Sequence, residues 1–310
     1  MGVNKDSKHS SLEYRKNRMK GVQQAWGGNL VSELFLCYEI PKKLFEDLSR
    51  AVGLYIARAM DFDYSSDETV LLAAINASRE NRRNITPNGG VVPKSEYSLE
   101  YNLVIRAWCE LARAFTSNNP SLLRKFRLTP NIRIKFGQEL EENRGRGLDT
   151  ALPHSDAWVE GPWGMNCHIP ILGDVEQNYL HFYKLKDETL FRDDFLSHSP
   201  DYTSMQWTLD FYEDDCIKPR KGCLHFSDYS LPHKTKREPG AGTRVSIDTT
   251  MFVGDHDVLP DREAEYLDRI PRVGDELILK ANISETEAFG DKKSTFSHYT
   301  TGNVNRHWLS

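Results

Sequence analysis

Apolar residues recur at helical spacing through the first third of the chain. After Pro41, one apolar stripe with three- and four-residue intervals is formed by Leu44, Phe45, Leu48, Val52, Tyr55, Ile56 and Ala59. This spacing predicts an amphipathic helix, and Pro41 suits its first turn, where a missing N–H leaves no bond unmade. Similar spacing predicts a helix over 97–115 and a shorter one over 70–78, separated by a Pro- and Gly-containing loop at 84–93.

The pattern changes near Pro130, where apolar and polar residues begin to alternate. Ile132, Ile134 and Phe136 have polar neighbours on either side, which is the period of a half-buried strand. Further short runs bounded by turn residues predict strands at 163–172, 179–185, 205–212, 222–227 and 243–253. Short strands of this kind are typical of an antiparallel sandwich or barrel.

The succession of patterns predicts a mainly β protein with a helical N-terminal region, in a single domain. Its parts are a helical buttress at 1–125, a β core at 126–255 and a charged C-terminal extension at 256–310 that contains a predicted helix at 261–269. A charged, glycine-containing loop at 139–147 precedes the most informative motif, either as a solvated loop or as a lid.

Composition and charge limit the classes of protein to which the chain can belong. The chain has 310 residues, 39% of them hydrophobic and 27% charged, with a net charge of −5. These values are ordinary for a soluble globular protein, and the acidic balance disfavours nucleic acid as a main partner. No apolar run approaches the roughly 20 residues of a membrane span, and the N-terminus has no signal-peptide pattern.

Cysteine usage and the absence of targeting patterns predict a cytoplasmic location without membrane partners. The five cysteines are odd in number and form no C-x-x-C pair, which indicates neither a disulfide framework nor a zinc ribbon.

The segment L-P-H-S-D-A-W at 152–158 places His154 and Asp156 two residues apart. In extended backbone such side chains share a face, so the imidazole and the carboxylate could bind one metal ion. A second histidine would complete the two-histidine, one-carboxylate facial triad of non-haem Fe(II) oxygenases. His225 and His233 are the downstream candidates. By itself, an H-x-D tripeptide is more often a surface pair.

The residues after His233 favour it as the third ligand. A polar, glycine-containing loop, K-T-K-R-E-P-G-A-G, leads to a predicted strand on which Arg244 and Ser246 share a face, 11 residues after His233. No arginine has a matching offset from His225, which is then a buried barrel histidine. An arginine fork binds a carboxylate through two parallel hydrogen bonds.

The set His154, Asp156, His233, Arg244 and Ser246 resembles the signature of the 2-oxoglutarate/Fe(II)-dependent oxygenases. The flanking segments resemble the phytanoyl-CoA-dioxygenase-like branch of that superfamily, and L-P-H-S-D-A-W followed by P-I-L-G-D is similar to oxygenases from bacterial sugar and aminoglycoside clusters. The resemblance covers roughly residues 130 to 253. It implies a double-stranded β-helix core of the jelly-roll or cupin type, buttressed by helices.

The resemblance also implies roles for these residues. His154, Asp156 and His233 would hold Fe(II), while Arg244 and Ser246 would bind the remote carboxylate of 2-oxoglutarate, with O₂ as the other co-substrate. The implied reaction is oxidation, foremost hydroxylation, of an unactivated C–H bond in a small polar metabolite of the sugar or aminocyclitol type, with release of succinate and CO₂. Because related halogenases lack the carboxylate, its presence argues against halogenation.

Three questions stay open at the level of sequence. Asn166 shares a strand face with His168 and could donate either to the bound keto acid or to a backbone group. Arg133 could point into the barrel mouth or into solvent. The alternative functions are a non-oxidative, cupin-like metal-dependent isomerase or lyase and a degenerate barrel that acts as a binding module.

Overall fold

The structure, a computed structural model, describes most of the chain up to residue 253. The described residues are 12–80, 84–86, 88–127, 129–137, 152–160, 164–196, 199 and 201–253. The loop predicted at 139–147, the extension predicted at 256–310 and its helix at 261–269 lie outside them.

The described helices, two of which were not predicted, confirm the helical pattern of the sequence. They are α1 (Leu12–Trp26), α2 (Lys42–Met60), α3 (Glu68–Ala77), α4 (Ser98–Thr116) and the single turn α5 (Ala157–Glu160). α2, α3 and α4 match the predicted helices, and the stripe on α2 is buried from Leu48 onward. Among the described residues, no helix combines the length and the apolar character that a bilayer span requires.

The larger sheet has seven strands in the described part of the chain, and all its pairings are antiparallel. Its strands are β1 (Asn29–Ser32), β2 (Phe35–Glu39), β3 (Leu123–Phe126), β4 (Asn131–Lys135), β5 (Gly164–Gly173), β8 (Cys223–Asp228) and β10 (Arg244–Val253). Their order is β1-β2-β8-β5-β10-β3, and β4 also pairs with β10. β2 pairs with β8 in this sheet, although β2 belongs to the part of the 310-residue chain that was predicted to be helical.

A smaller antiparallel sheet carries one of the predicted metal ligands. It consists of β7 (Tyr212–Asp214), β6 (Asn178–Leu185) and β9 (His233–Arg237), in the order β7-β6-β9. The two sheets agree with a mainly antiparallel β core packed with helices, as the sequence predicts.

Two predictions of local structure were wrong. The stretch predicted as a strand at 205–212 is mostly a 3₁₀ helix, Thr203–Phe211, in which Met205 and Thr208 are buried at the three-residue spacing of that helix. The first four residues of the loop predicted after His233, Lys234 to Arg237, form β9 instead, whereas Glu238 to Gly242 connect β9 to β10. Backbone hydrogen bonds to β6 build this strand, and polar side chains do not prevent such pairing.

The larger sheet has one apolar and one polar face. Ile132, Ile134 and Ile247 belong to the main core, which α1, α2 and α4 cover. In the β4–β10 register, Lys135 lies opposite Arg244, and the residues that follow at every second position share that polar face. The period of two that builds the core therefore also collects polar groups on the opposite face.

A buried carboxylate ties α1 to the end of β8. Arg15 Nη1 donates to Asp228 Oδ1 at 2.6 Å and Arg18 Nη2 donates to Oδ2 at 2.5 Å, while Asp228 is 0% exposed. Ser230 N also donates to Oδ1. Burial raises the pKa of Asp228, but the two guanidinium groups outweigh it and bring the pKa down to about 2.

We expect Asp228→Asn to lower the free energy of unfolding at pH 7 by about 3–5 kcal/mol, because it leaves two buried guanidinium groups without their anion. Because the folded pKa lies below the ordinary value of 3.8, the wild-type advantage should be complete above pH 5 and shrink as the pH falls towards 2. Urea unfolding of both proteins across this range measures the difference. Asp47→Asn, in the surface pair with Lys43, serves as the control and should cost at most about 1 kcal/mol. An equal loss in both variants would contradict the account.

Candidate metal centre

His154 and His233 face each other across a pair of backbone hydrogen bonds. His154 N donates to His233 O at 2.9 Å, and His233 N donates to His154 O at 2.8 Å. This is an isolated antiparallel bridge between the H-x-D segment and the first residue of β9. It places the two ring centroids 4.6 Å apart.

In both imidazoles, the Nδ1 nitrogen contacts a backbone carbonyl oxygen. His154 Nδ1 lies 2.9 Å from Leu152 O, and His233 Nδ1 lies 3.2 Å from Leu231 O. A carbonyl oxygen can only accept, so each Nδ1 carries the proton and each Nε2 keeps a lone pair for a metal. Burial, followed by the nearby His233, lowers the pKa of His154 to about 4, so this ring is neutral at pH 7.

Asp156 supplies a carboxylate beside both free nitrogens. Its Oδ1 is 4.0 Å from His154 Nε2 and its Oδ2 is 3.7 Å from His233 Nε2. One ligand atom from each of the three residues lies within 4.8 Å of the others. Two imidazoles and one carboxylate on one side of a pocket are the donor set of the facial triad, so the residues present fit Fe(II).

The H-x-D segment is held by the loop that precedes β9. Ser155 Oγ donates to Tyr229 O at 2.6 Å, and Ala157 N donates to the same oxygen at 3.2 Å. Trp158 is buried against Tyr202. The segment is therefore fixed on both sides of Asp156.

Asn166 contacts a predicted metal ligand. Its Nδ2 donates to Asp156 Oδ2, an acceptor other than the two considered from sequence, the keto acid and a backbone group. The amide therefore orients the carboxylate, as outer hydrogen bonds commonly do at metal sites. A direct contact of Asn166 with 2-oxoglutarate stays a prediction.

Arg244 lies in the same pocket with a guanidinium that is not fully paired. It is 2% exposed and lines the pocket together with His154, Asp156 and His233. Among the described residues, its Nε and Nη1 have no hydrogen-bond partner. Burial lowers the pKa of Arg244 to about 10, so the group is charged at pH 7. A buried cation with free donors fits an anionic ligand.

Ser246 shares the polar face of β10 with Arg244 but lies deeper. It is 0% exposed and is not among the residues that line the pocket, and its Oγ has no partner in the described part of the chain. The hydroxyl is thus free to donate, while its contact with a co-substrate stays a prediction.

Two charged pocket residues were not identified from the sequence. Lys135 lies beside Arg244 in the register of β4 and β10. Burial, followed by the charges of Arg133 and Arg244, lowers the pKa of Lys135 to about 7. The second residue, Asp248, accepts from Arg133 Nε at 2.5 Å. Lys135 lies two residues after Arg133 on β4, and Asp248 lies four residues after Arg244 on β10. Because alternate residues of a strand share a face, this spacing was the signal available in the sequence.

Arg133 therefore points into the pocket, and His168 and His225 have partners of their own. His168 Nδ1 contacts Asp248 Oδ1 at 2.7 Å. His225 Nδ1 faces His168 O at 3.3 Å, and its Nε2 accepts from Arg220 N at 2.9 Å. Both nitrogens of His225 are thus engaged away from Asp156, and His233 is the histidine that the fold brings to the H-x-D segment.

Comparison with known proteins gives only distant similarities. No protein-family model and no curated protein matches the sequence. Among solved structures, the non-heme alpha-ketoglutarate-dependent epimerase SnoN from nogalamycin biosynthesis is 10% identical, with 79% of this chain and 90% of that chain covered at a TM-score of 0.37. The carbocyclase SnoK from the same biosynthesis is 11% identical, with coverages of 83% and 91% and a TM-score of 0.40.

A third similar structure is an N-substituted L-amino acid dioxygenase from Burkholderia ambifaria. It is 12% identical, with 72% of this chain and 84% of that chain covered at a TM-score of 0.36. Scores below 0.5 do not establish a shared fold, so the chemistry of the site follows from its own residues.

We expect Asn166→Leu to weaken metal binding about 10- to 100-fold, because it removes the donor that orients the Asp156 carboxylate. Anaerobic calorimetry with Fe(II) measures the affinity. Asn131→Leu is the matched control. Asn131 also lines the pocket but donates no hydrogen bond to Asp156, so its substitution should leave the affinity unchanged. Equal affinities for wild type and Asn166→Leu would show that the carboxylate does not depend on this amide.

Proposed function

We propose that the protein is an Fe(II)- and 2-oxoglutarate-dependent oxygenase. The observation that carries the proposal is a single pocket in which His154, Asp156 and His233 converge beside Arg244, a buried cation with unpaired donors. A metal site alone would fit many enzymes. The added carboxylate-binding fork supports a co-substrate that carries an acid group away from the metal.

The three ligands would hold the iron and leave part of its coordination sphere open. Two imidazole nitrogens and one carboxylate oxygen on one face leave positions for a bidentate keto acid and for O₂. When bound, the iron and its co-substrates supply oxidative cleavage of 2-oxoglutarate to succinate and CO₂, coupled to oxidation of a substrate C–H bond. The protein holds the ligands in place through the backbone bridge and the Nδ1–carbonyl hydrogen bonds.

Arg244 would bind the remote carboxylate of 2-oxoglutarate. Its planar fork matches a carboxylate in two parallel hydrogen bonds, and a buried site strengthens each of them. Ser246 would add a hydroxyl donor from the same face of β10. This requirement for a carboxylate favours the oxygenase over a non-oxidative isomerase or lyase with the same three ligands, for which the buried arginine would have no anion.

The primary substrate proposed here is a small polar molecule, and the proposed reaction is hydroxylation. The pocket is lined mostly by groups that can form hydrogen bonds, among them Asn131, Arg133, Lys135, Thr235, Asp248 and Thr250. An apolar substrate would bury this polar lining without offering it hydrogen bonds, which is unfavourable. The narrower class, a sugar or aminocyclitol derivative, rests on the motif resemblance alone. Asp156 occupies the ligand position that a halogenase would leave open.

The two antiparallel sheets support a double-stranded β-helix as the arrangement of the core. β4, β5 and β10 of the larger sheet and β6 and β9 of the smaller sheet all supply residues to the lining of this one pocket, and the His154–His233 bridge joins the H-x-D segment to β9. A site at the mouth of such a core would be open to a small substrate at one end.

Arg244→Gln should raise the Kd for 2-oxoglutarate about 10- to 100-fold, since hydrogen bonds to charged groups contribute roughly 1.5–3 kcal/mol and each 1.4 kcal/mol is tenfold. Its affinity for Fe(II) should not change. Asp156→Ala should instead abolish Fe(II) binding and all succinate formation while the fold is retained.

Anaerobic calorimetry with Fe(II) alone and then with 2-oxoglutarate separates the two effects, and circular dichroism checks the fold. Arg106→Gln, on the exposed side of α4, is the control and should behave as wild type. If Arg244→Gln bound 2-oxoglutarate normally, the assigned role of Arg244 would be wrong. Normal turnover by Asp156→Ala would remove the metal model.

Lys135 predicts a pH dependence of co-substrate binding. Its pKa is about 7 in the free protein, and a bound dicarboxylate would raise it, because the anion favours the protonated ammonium. The affinity for 2-oxoglutarate should therefore be highest below pH 7 and fall as the pH rises, by at most about tenfold per unit. In Lys135→Met the affinity should be lower at pH 6.5 and vary less between pH 6.5 and 9. Parallel pH profiles for the two proteins would exclude a role for this lysine.

A further inference from the structure

A second cluster of reactive side chains lies outside the metal centre, between β2 and β8. Cys37 lies on β2, and Cys223 is the first residue of β8. Ligand-type atoms of both cysteines and of His225 lie within 4.8 Å of one another. Each cysteine is 4% exposed. The candidate oxygenase chemistry uses none of these three residues.

The hydrogen bonds of His225 indicate a thiol pair and not a metal site. Its Nε2 accepts from Arg220 N, and its Nδ1 has only the carbonyl of His168 as a partner, so Nδ1 is the protonated nitrogen. No lone pair of the ring is left to bind a metal ion. The two sulfurs therefore remain as the reactive groups of the cluster.

The two thiols have different surroundings. Arg220 Nη2 donates to Cys37 Sγ at 3.6 Å, while the rest of the Arg220 side chain is largely exposed. The hydrogen bond from Cys223, and after it the hydrogen bond from Arg220, lower the pKa of Cys37, whereas the pKa of Cys223 is raised. A thiolate beside a cation is the form of cysteine that reacts with oxidants, and a neighbouring thiol is the usual resolving group.

We propose that Cys37 and Cys223 are a peroxide-responsive pair that closes to a reversible disulfide between β2 and β8. The Cys37 thiolate attacks hydrogen peroxide, an S–O bond forms as the O–O bond breaks, and the departing hydroxide takes a proton to become water. Cys223 then attacks the sulfur of Cys37, the S–S bond forms as the S–O bond breaks, and its proton leaves with the second water. Two thiols are oxidised by two electrons and one peroxide is reduced. This proposal does not depend on the proposed function.

The chain around Cys223 can accommodate bond formation. A disulfide needs an S–S distance of about 2.05 Å, so the sulfurs must approach each other. Cys223 begins its strand directly after Gly222, which has a φ of 78° and open space around its Cα. Movement at this strand end disturbs the outermost pair of the β2–β8 ladder, Glu39 with Cys223, and the adjoining hydrogen bond from Ile40 N to Gly222 O.

The other cysteines provide internal controls. Cys109 and Cys167 lie in the apolar core, and burial raises the pKa of both thiols. They should resist oxidation. Cys216 is exposed and reports the reactivity of a thiol without a resolving partner.

The test treats the full-length protein with equimolar hydrogen peroxide and then alkylates the remaining thiols. Non-reducing peptide mapping by mass spectrometry should find a cross-linked peptide containing Cys37 and Cys223, with a loss of two in the number of free thiols and full reversal by dithiothreitol. The cross-link should be absent from Cys37→Ser and from Cys223→Ser and should persist in Cys216→Ser. Arg220→Gln, a surface change, should slow its formation about 3- to 10-fold because the thiolate loses its cation.

Several results would overturn the proposal. Oxidation of Cys216 with Cys37 and Cys223 left as free thiols would show that the pair is inert. A stable sulfinic acid at Cys37 would show that Cys223 does not resolve the first product. Protection of both cysteines from alkylation by added Zn²⁺, lost in His225→Ala, would show a metal site instead.

Discussion

The candidate site depends on two backbone hydrogen bonds between His154 and His233. They join a short segment after a proline to the first residue of β9 and fix the separation of the two imidazoles before any side chain is considered. The loop that leads to His233 also carries Tyr229 O, which anchors Ser155. Asp228, the last residue of β8, precedes this loop and is held by Arg15 and Arg18 of α1, so this helix supports the candidate metal centre from a distance. The pairing with Asp228 explains why α1, a long polar helix, packs as part of the fold.

One face of the larger sheet contributes to the stability of the fold, and the opposite face contributes polar groups to the candidate site. Apolar residues on one face pack against the helices, while the alternate positions of β4 and β10 collect Arg133, Lys135, Arg244 and Asp248 on the other. Only part of this charge is compensated internally, by Asp248 with Arg133. Arg244 keeps free donors among the described residues, and burial, followed by the nearby cations, lowers the pKa of Lys135. The excess positive charge is a physical reason to expect a dicarboxylate in this pocket.

The sequence predicts most of what regular periodicity controls. The stripe on α2, the alternation on β4 and the pair Arg244 and Ser246 on β10 follow from spacing alone. Other features depend on tertiary partners and leave no periodic signal. α1 buries charged residues by pairing them with Asp228, β9 is a polar strand made by its ladder with β6, and the alternating residues near 205–212 adopt a 3₁₀ helix. The nearness of Cys37 to Cys223 arises only when strands distant in sequence become neighbours, and the hydrogen bond from Asn166 to Asp156 depends on how β5 lies beside the H-x-D segment.

The most direct test of the central claim is an anaerobic titration of the metal-free protein with Fe(II) and then with 2-oxoglutarate, followed by visible absorption. The account predicts a charge-transfer band that appears only when both are present, because the keto acid must chelate the iron held by His154, Asp156 and His233. The same titration of Asp156→Ala should give no band. Iron binding by the wild-type protein without a band on addition of 2-oxoglutarate would contradict the account and would mean that Arg244 binds a different carboxylate.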